Sequence, residues 1–299
     1  MAEQKTNSEE WETLMRILIL AFWAAELVAL AVYIRSCWPH RTRASFFIKL
    51  VCSGIFLAYG ITLAVLVKRG VNVSFLHDLD TSELSAGAGT FMQFPTGGLT
   101  ARVVHLIIAA LAYGFIGDFF LGLAHQIGRS VDPQGEADDE LRAQVKNRKT
   151  AANALGVLSF ILGHVLYCVA FGRALYGYEL YIRWWSVLLL LLPLIVYLFM
   201  GLQLKLGKQL LPLGIYFLAV SIMFAMAMTL GIQLWPYSRL FSICLMAGGL
   251  FFVAADLGLA VESYGGERWK RFPLRAARQV EYFTGQMLLA TTILFFYTV

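Results

Sequence analysis

The chain has 299 residues, of which 59% are hydrophobic and only 14% charged, with a mean hydropathy of +0.68. Soluble domains carry roughly 45–50% apolar and about 25% charged residues, so this composition excludes a soluble globular domain and leaves most of the chain facing lipid or other apolar helices. The net charge of +5 comes from Lys and Arg in short segments beside apolar runs, the pattern of membrane loops rather than of a nucleic-acid-binding face.

The first 13 residues form a polar tail with Glu3, Glu9, Glu10 and Glu12, and residues 14–299 read as a single transmembrane domain. A spanning helix needs about 20 mainly apolar residues. Eight stretches qualify: 14–34, 46–67, 101–126, 151–172, 183–201, 210–232, 238–261 and 279–298. The first lacks the basic start and small-residue cleavage site of a signal peptide, so it is retained as a helix. The expected class is therefore an all-α polytopic membrane protein with eight transmembrane helices. The connection 68–100, with Gly87, Gly89, Pro95, Gly97 and Gly98, reads as a loop, and its glycines follow no strand and fit no phosphate-binding pattern. The connection 127–150 mixes both charges and reads as solvated, running into the polar start of the fourth helix.

Ionisable groups inside spanning helices are costly and mark function. The chain has Glu26, Asp118, His125, His164, Asp256, Glu262 and Glu281, with Lys49 and His105 near helix ends. Glu262, His125 and Lys49 fall where interfacial water or snorkelling satisfies them. Asp118, His164 and Asp256 lie deep in apolar runs. Cys37, Cys52, Cys168 and Cys244 form no C-x-x-C pair, which suits small core residues better than a disulfide or zinc site. The sequence has no G-x-S-x-G and no metal-binding His or carboxylate pattern, so serine-type and zinc hydrolysis are disfavoured and neither metal nor cofactor is expected.

Several of these residues share helical faces. Gly156, Phe160, His164, Tyr167 and Phe171 are spaced by three and four, and Tyr282 and Gln286 by four. Phe160-x-x-Gly163-His164 parallels Tyr282-x-x-Gly285-Gln286, and each follows a helix with one deep Asp. This suggests two parallel four-helix repeats about an axis along the membrane normal. At roughly 1.5 Å per residue, Asp118 and Asp256 each fall some 25 Å into helices that enter from the side of the termini. Gln286 lands in the same layer, with Glu281 nearer the surface and His164 nearer the middle. Two carboxyls in one apolar cavity divide into a neutral acid and an ionised partner, the division used for acid-catalysed cleavage.

The ordered set Gly117-Asp118-x-x-Leu121, Phe160-x-x-x-His164-x-x-Tyr167, Phe251-x-x-x-x-Asp256 and Tyr282-x-x-x-Gln286 resembles the YhhN family, the lysoplasmalogenase-like membrane proteins, from about residue 46 to the C-terminus. The resemblance implies hydrolysis of the vinyl ether bond of a lysoplasmalogen to a fatty aldehyde and a glycerophospho-alcohol, without a cofactor. Asp118 and Asp256 would be catalytic, and Lys49, His164, Tyr167, Tyr282 and Gln286 would bind or orient the substrate. The chain departs from the family at Gly114 and Ala255, where Ser is common, and at Leu50 after Lys49, where Pro is common. Vinyl ether cleavage needs a neutral acid, an anion for the oxocarbenium-like cation and a held water, which paired carboxyls supply in glycoside cleavage too. The alternatives are a proton-coupled transporter, since buried Asp and His also make proton relays, and a non-catalytic lipid-binding protein. The transporter lacks support from paired Gly/Pro interruptions in the helices.

The expected partners are a lysophospholipid and membrane lipid, with the phosphate beside Lys49 and the basic segment Arg268 to Arg278, and the alkyl chain passing Phe160 and Phe252. A bacterial inner membrane and a eukaryotic endomembrane both suit the chain. The odd-numbered loops and their edges hold 16 of the 24 Lys and Arg residues, which places those loops in the cytoplasm and both termini outside. A reporter fused after Val299 should be non-cytoplasmic; a cytoplasmic signal reverses the orientation.

Overall fold

A computed structural model describes residues 2–37, 43–69, 98–129, 139–266 and 272–296. The described residues form eight α-helices: α1 Ala2–Ser36, α2 Arg43–Lys68, α3 Gly98–Ile127, α4 Asp139–Gly177, α5 Trp184–Gln203, α6 Leu210–Leu234, α7 Arg239–Tyr264 and α8 Phe272–Thr291. Short 3₁₀ turns at Gly207–Gln209 and Thr292–Phe296 precede α6 and follow α8. No strand occurs among the described residues. Among the described residues, seven helices, α1 to α7, are long and apolar enough to cross a membrane. The protein is thus an all-helical, multi-pass membrane protein.

The eighth helix differs from the sequence expectation in a telling way. It begins at Phe272 rather than 279, so Arg275 and Arg278 stand on the helix and not in a loop. Its polar residues dilute its hydropathy, yet nearly all of it from Tyr282 onward is buried. A helix enclosed by protein needs no apolar surface for lipid and can carry the polar groups of the interior. By contrast α5 packs mainly on α6 and leaves Leu188, Leu192, Ile195 and Phe199 exposed at its surface. α4 starts at Asp139, so Arg142, Lys146, Arg148 and Lys149 form its exposed first turns. Most of the expected 68–100 loop, residues 130–138 of the next connection, and Arg41, Arg268, Lys270 and Arg271 lie outside the described residues.

Local chemistry sets several boundaries. Ser238 precedes α7 in an extended conformation and its hydroxyl accepts from the Phe241 amide at 3.4 Å, an N-cap that satisfies one orphan donor. Gly207 takes φ +53°, a left-handed turn that glycine adopts without a Cβ penalty. Tyr197 donates to the Leu210 carbonyl at 2.6 Å, tying α5 to the start of α6.

α3 packs most extensively on α4, and α7 on α8. The two pairs use the same close approach. A Cβ on Gly163 of α4 would lie 3.3 Å from the Ala110 carbonyl of α3, and one on Gly285 of α8 would lie 3.3 Å from the Gly248 carbonyl of α7. Ala110 stands eight residues before Asp118 and Gly248 eight before Asp256, while Gly163 and Gly285 directly precede His164 and Gln286. The contacts therefore follow the repeat pattern. Small residues let helix backbones meet where apolar collapse gives no drive. Gly163→Val and Gly285→Val should each cost about 1–3 kcal/mol by overpacking, read as a lower thermal midpoint in detergent. Gly54→Ala, whose Cβ meets nothing within 4 Å, should leave the midpoint unchanged or slightly raised.

Candidate active site

Asp118 lies in the second half of α3, on its buried face, and is 1% exposed. Three donors converge on it. The Lys49 ammonium of α2 lies 2.6 Å from Oδ1, and the hydroxyls of Ser53 and Tyr282 donate to Oδ2 at 2.7 and 2.8 Å. Lys49 and Ser53 are one helical turn apart, so α2 presents both to the same carboxylate. The chain of contacts runs on: the Gln286 amide nitrogen donates to the Tyr282 oxygen at 3.3 Å, and Tyr167 donates to the Gln286 amide oxygen at 3.1 Å. Polar groups linked in this way polarise one another in a low-dielectric interior. Lys49, expected to snorkel to the interface, instead points inward to an acid and is 14% exposed.

Asp256 on α7 has a sparser surrounding. Tyr216 of α6 donates to Oδ1 at 2.8 Å. His164 Nε2 lies 3.4 Å from the Tyr216 oxygen and 3.6 Å from Asp256 Oδ2, while Nδ1 is 3.4 Å from the Met223 sulfur. Oδ2 itself makes no hydrogen bond and is shut off from the surface. Aromatic rings connect the two clusters. Phe252 sits 5.3 Å from His164, 6.2 Å from Tyr167 and 5.7 Å from Tyr282, centroid to centroid, and Phe160 lies 6.0 Å from Tyr282. The structure thus gathers Asp118, Lys49, Tyr282, Gln286 and Tyr167 into one network and Asp256 with His164 into a second, with Phe252 touching members of both.

A cavity of about 210 Å³ opens at the end of the bundle away from the N-terminus of α1 and the C-terminus of α8. It is lined by Tyr33, Ser45, Phe46 and Lys49, by Leu121, Gly122, His125 and Gln126, and by Leu259, Glu262, Ser263, Arg278 and Gln279. Leu121 and Gly122 stand one turn beyond Asp118, and Leu259 and Ser263 lie on the same face of α7 as Asp256. Both acids are therefore one turn below the cavity on helices that form its wall. Phe160 and Phe252 do not line it. At its rim Glu262 is held by Arg275 and Arg278, each at 2.9 Å. Among the described residues, no three His, Cys, Asp or Glu side chains gather into a metal-binding group.

Two contacts were not drawn from the sequence. Ser53 could have been found from its i, i+4 spacing to Lys49. Tyr216 lies in a Leu- and Phe-rich run whose composition gives no sign that its hydroxyl reaches an acid. Gly114 also acquires a reason: a Cβ there would stand 2.7 Å from the Gln286 amide nitrogen, so the bare backbone makes room for that amide.

Fold and site together define an all-helical membrane protein with two buried aspartates beneath one polar cavity. The YhhN family model matches residues 88–293, more than half of the chain. The protein belongs to the YhhN family. The match begins well after residue 46, so α1 and α2, with Lys49 and Ser53, lie outside it. No curated protein and no solved structure matches the chain.

An ammonium removed from a buried carboxylate leaves an uncompensated charge, which costs about 3–5 kcal/mol. Lys49→Met should lower stability by that order in a detergent unfolding experiment, and adding Asp118→Asn should restore most of the loss. An additive double variant would show that the pair is not coupled.

Proposed function

We propose that this protein hydrolyses the vinyl ether bond of lysoplasmalogens inside the membrane. The observation that carries the reading is the placement of two buried aspartates with unlike surroundings under one polar cavity. Asp118 accepts from an ammonium and two hydroxyls, which suits the acceptor-only carboxylate. Asp256 meets one phenol, and its Oδ2 is left able to carry a proton. Asp256 is accordingly the acid and Asp118 the anion that steadies the cation.

The steps balance. Asp256 gives its proton to the distal alkene carbon, and the carbon bound to the ether oxygen becomes an oxocarbenium ion. Water adds to that carbon, and its proton passes to Asp118. The hemiacetal then loses its hydroxyl proton to Asp256, its C–O bond to the glycerol oxygen breaks, and that oxygen takes the proton from Asp118. Aldehyde and glycerophospho-alcohol leave, and both acids are restored. Tyr282, Gln286, Tyr167 and His164 hold the water and the ether oxygen. The cavity beside Lys49 and Arg278 takes the phosphate head group, where charge-assisted hydrogen bonds are strong. The vinyl ether lies just below that head group, at the level of the acids.

Purified protein in detergent should release fatty aldehyde from a defined lysoplasmalogen and none from the matching ester lysolipid. Asp118→Asn and Asp256→Asn should each lower kcat by 10²-fold or more, the range for loss of a general acid. Near-normal turnover by either folded variant rules out the paired-acid mechanism.

A further inference from the structure

Three of the side chains lining the cavity carry a formal charge: Lys49, Glu262 and Arg278. Lys49 is engaged by Asp118 at 2.6 Å. Arg278 and Glu262 are therefore the cation and the anion left to meet whatever enters. They stand side by side, with Arg278 Nη2 2.9 Å from Glu262 Oε2, and their side chains are 10% and 13% exposed. Charges sheltered to that degree are screened far less by salt than surface charges, so a ligand meets their signs almost undiminished.

The sequence builds this pair onto the same two helices as the acid site. Gly258 and Glu262 are one turn apart on α7, and the stem of Arg278 on α8 runs over Gly258: a Cβ there would lie 3.4 to 3.5 Å from Arg278 Cβ, Cγ and Cδ. Glu262 stands six residues beyond Asp256, which at roughly 1.5 Å per residue is about 9 Å along the helix. The glycerol and phosphate of a lysolipid span a distance of that order. Two further groups hold the pair in place. Arg275 donates from Nε to Glu262 Oε1 at 2.9 Å, and the Gln279 amide, with its oxygen toward the guanidinium, accepts from Arg278 Nη1 and Nη2 at 3.3 and 2.7 Å. Capacity remains on both sides. Arg278 Nε is buried without a hydrogen-bond partner, and an ionised carboxylate accepts about four hydrogen bonds over its two oxygens. Arg278 can take a phosphate oxygen while Glu262 still accepts from an ammonium.

A head group with both a phosphate and an ammonium meets this pair charge for charge. A head group with a phosphate alone sets a second anion beside Glu262 with nothing to offset it, and like charges brought together at a binding site cost affinity and reject the wrong partner. We infer that Glu262 is the specificity-determining residue of the cavity: Arg278 binds the phosphate of the lysolipid and Glu262 the ammonium beyond it, so zwitterionic head groups are admitted and anionic ones repelled. The inference rests on the reading of the cavity as the head-group site of an ether hydrolase. Arg275 competes with the ligand's ammonium for Glu262 and is a positioning residue, since it acts through that carboxylate.

Binding of 1-O-alkyl lysolipids tests this, because their saturated ether gives the acid no alkene to protonate and they stay intact. Wild-type protein in detergent should bind the phosphoethanolamine form about tenfold or more tighter than the phosphoglycerol form of the same chain, the scale of one like-charge contact avoided. Glu262→Gln should weaken the first and strengthen the second, since Arg275 and Arg278 then face the ligand uncompensated. A structural role alone would weaken both alike. Arg275→Gln should widen the wild-type preference. Equal affinities in wild type overturn the inference, as does a preference that survives undiminished in folded Glu262→Gln or a loss shared equally by both lipids. If Glu262→Gln does not fold, a preference left unchanged or narrowed by Arg275→Gln overturns it instead. If wild-type protein discriminates between these lipids yet releases no aldehyde from a lysoplasmalogen, the hydrolase reading fails and the head-group site stands.

Discussion

A carboxylate cannot stay buried in a bilayer-spanning bundle without donors, and the arrangement around Asp118 meets that demand. Placing Asp118 on α3 obliges α2 to bring Lys49 and Ser53 to it and α8 to bring Tyr282. These three contacts draw three helices, far apart in sequence, to one point. The polar composition of α8 follows from the same demand: Tyr282 and Gln286 serve the interior, so the helix is enclosed rather than exposed to lipid. The cost of burying the ion pair is offset only when its remaining hydrogen-bonding capacity is satisfied, as the two hydroxyls do.

Asp256 repeats the plan with different chemistry. Asp118 draws its partners from α2 and α8, and Asp256 draws its own from α6 and α4. If α1–α4 correspond to α5–α8, these are the same pair of contacts twice. The shared approach of Gly163 to Ala110 and Gly285 to Gly248 gives that correspondence a backbone basis. The difference lies in what occupies equivalent places. Lys49 stands six residues after the first residue of α2, and Tyr216 six after the first of α6. One half meets its aspartate with an ammonium and the other with a phenol. Two acids in matched positions acquire unlike surroundings, which is the condition for one to donate a proton while the other stays charged.

Much of this was legible in the sequence, because membrane helices announce themselves by length and hydropathy and because a lone Asp in an apolar run has no structural excuse. Asp118, Asp256 and His164 stood out for that reason. The start of α8 was placed seven residues late because its first two turns carry Arg275 and Arg278, which read as loop when lipid exposure is assumed. Lys49 looked interfacial because its position near a helix end is visible in the sequence, whereas the direction of its side chain depends on α3. Tyr216 was hidden, since a tyrosine among leucines is ordinary until its hydroxyl is seen on an acid. Glu26 was visible as a buried charge, but its lack of a hydrogen-bond partner is a property of the packed bundle alone.

The central claim is that the protein delivers a proton to the alkene carbon of a vinyl ether. Hydrolysis of a lysoplasmalogen in deuterium oxide, with the aldehyde trapped as it forms and examined by mass spectrometry, tests it most directly. The account predicts an aldehyde carrying one deuterium on the carbon next to the carbonyl, formed by wild-type protein and not by the Asp256→Asn variant. Aldehyde without that deuterium, or its formation undiminished in the variant, would contradict it.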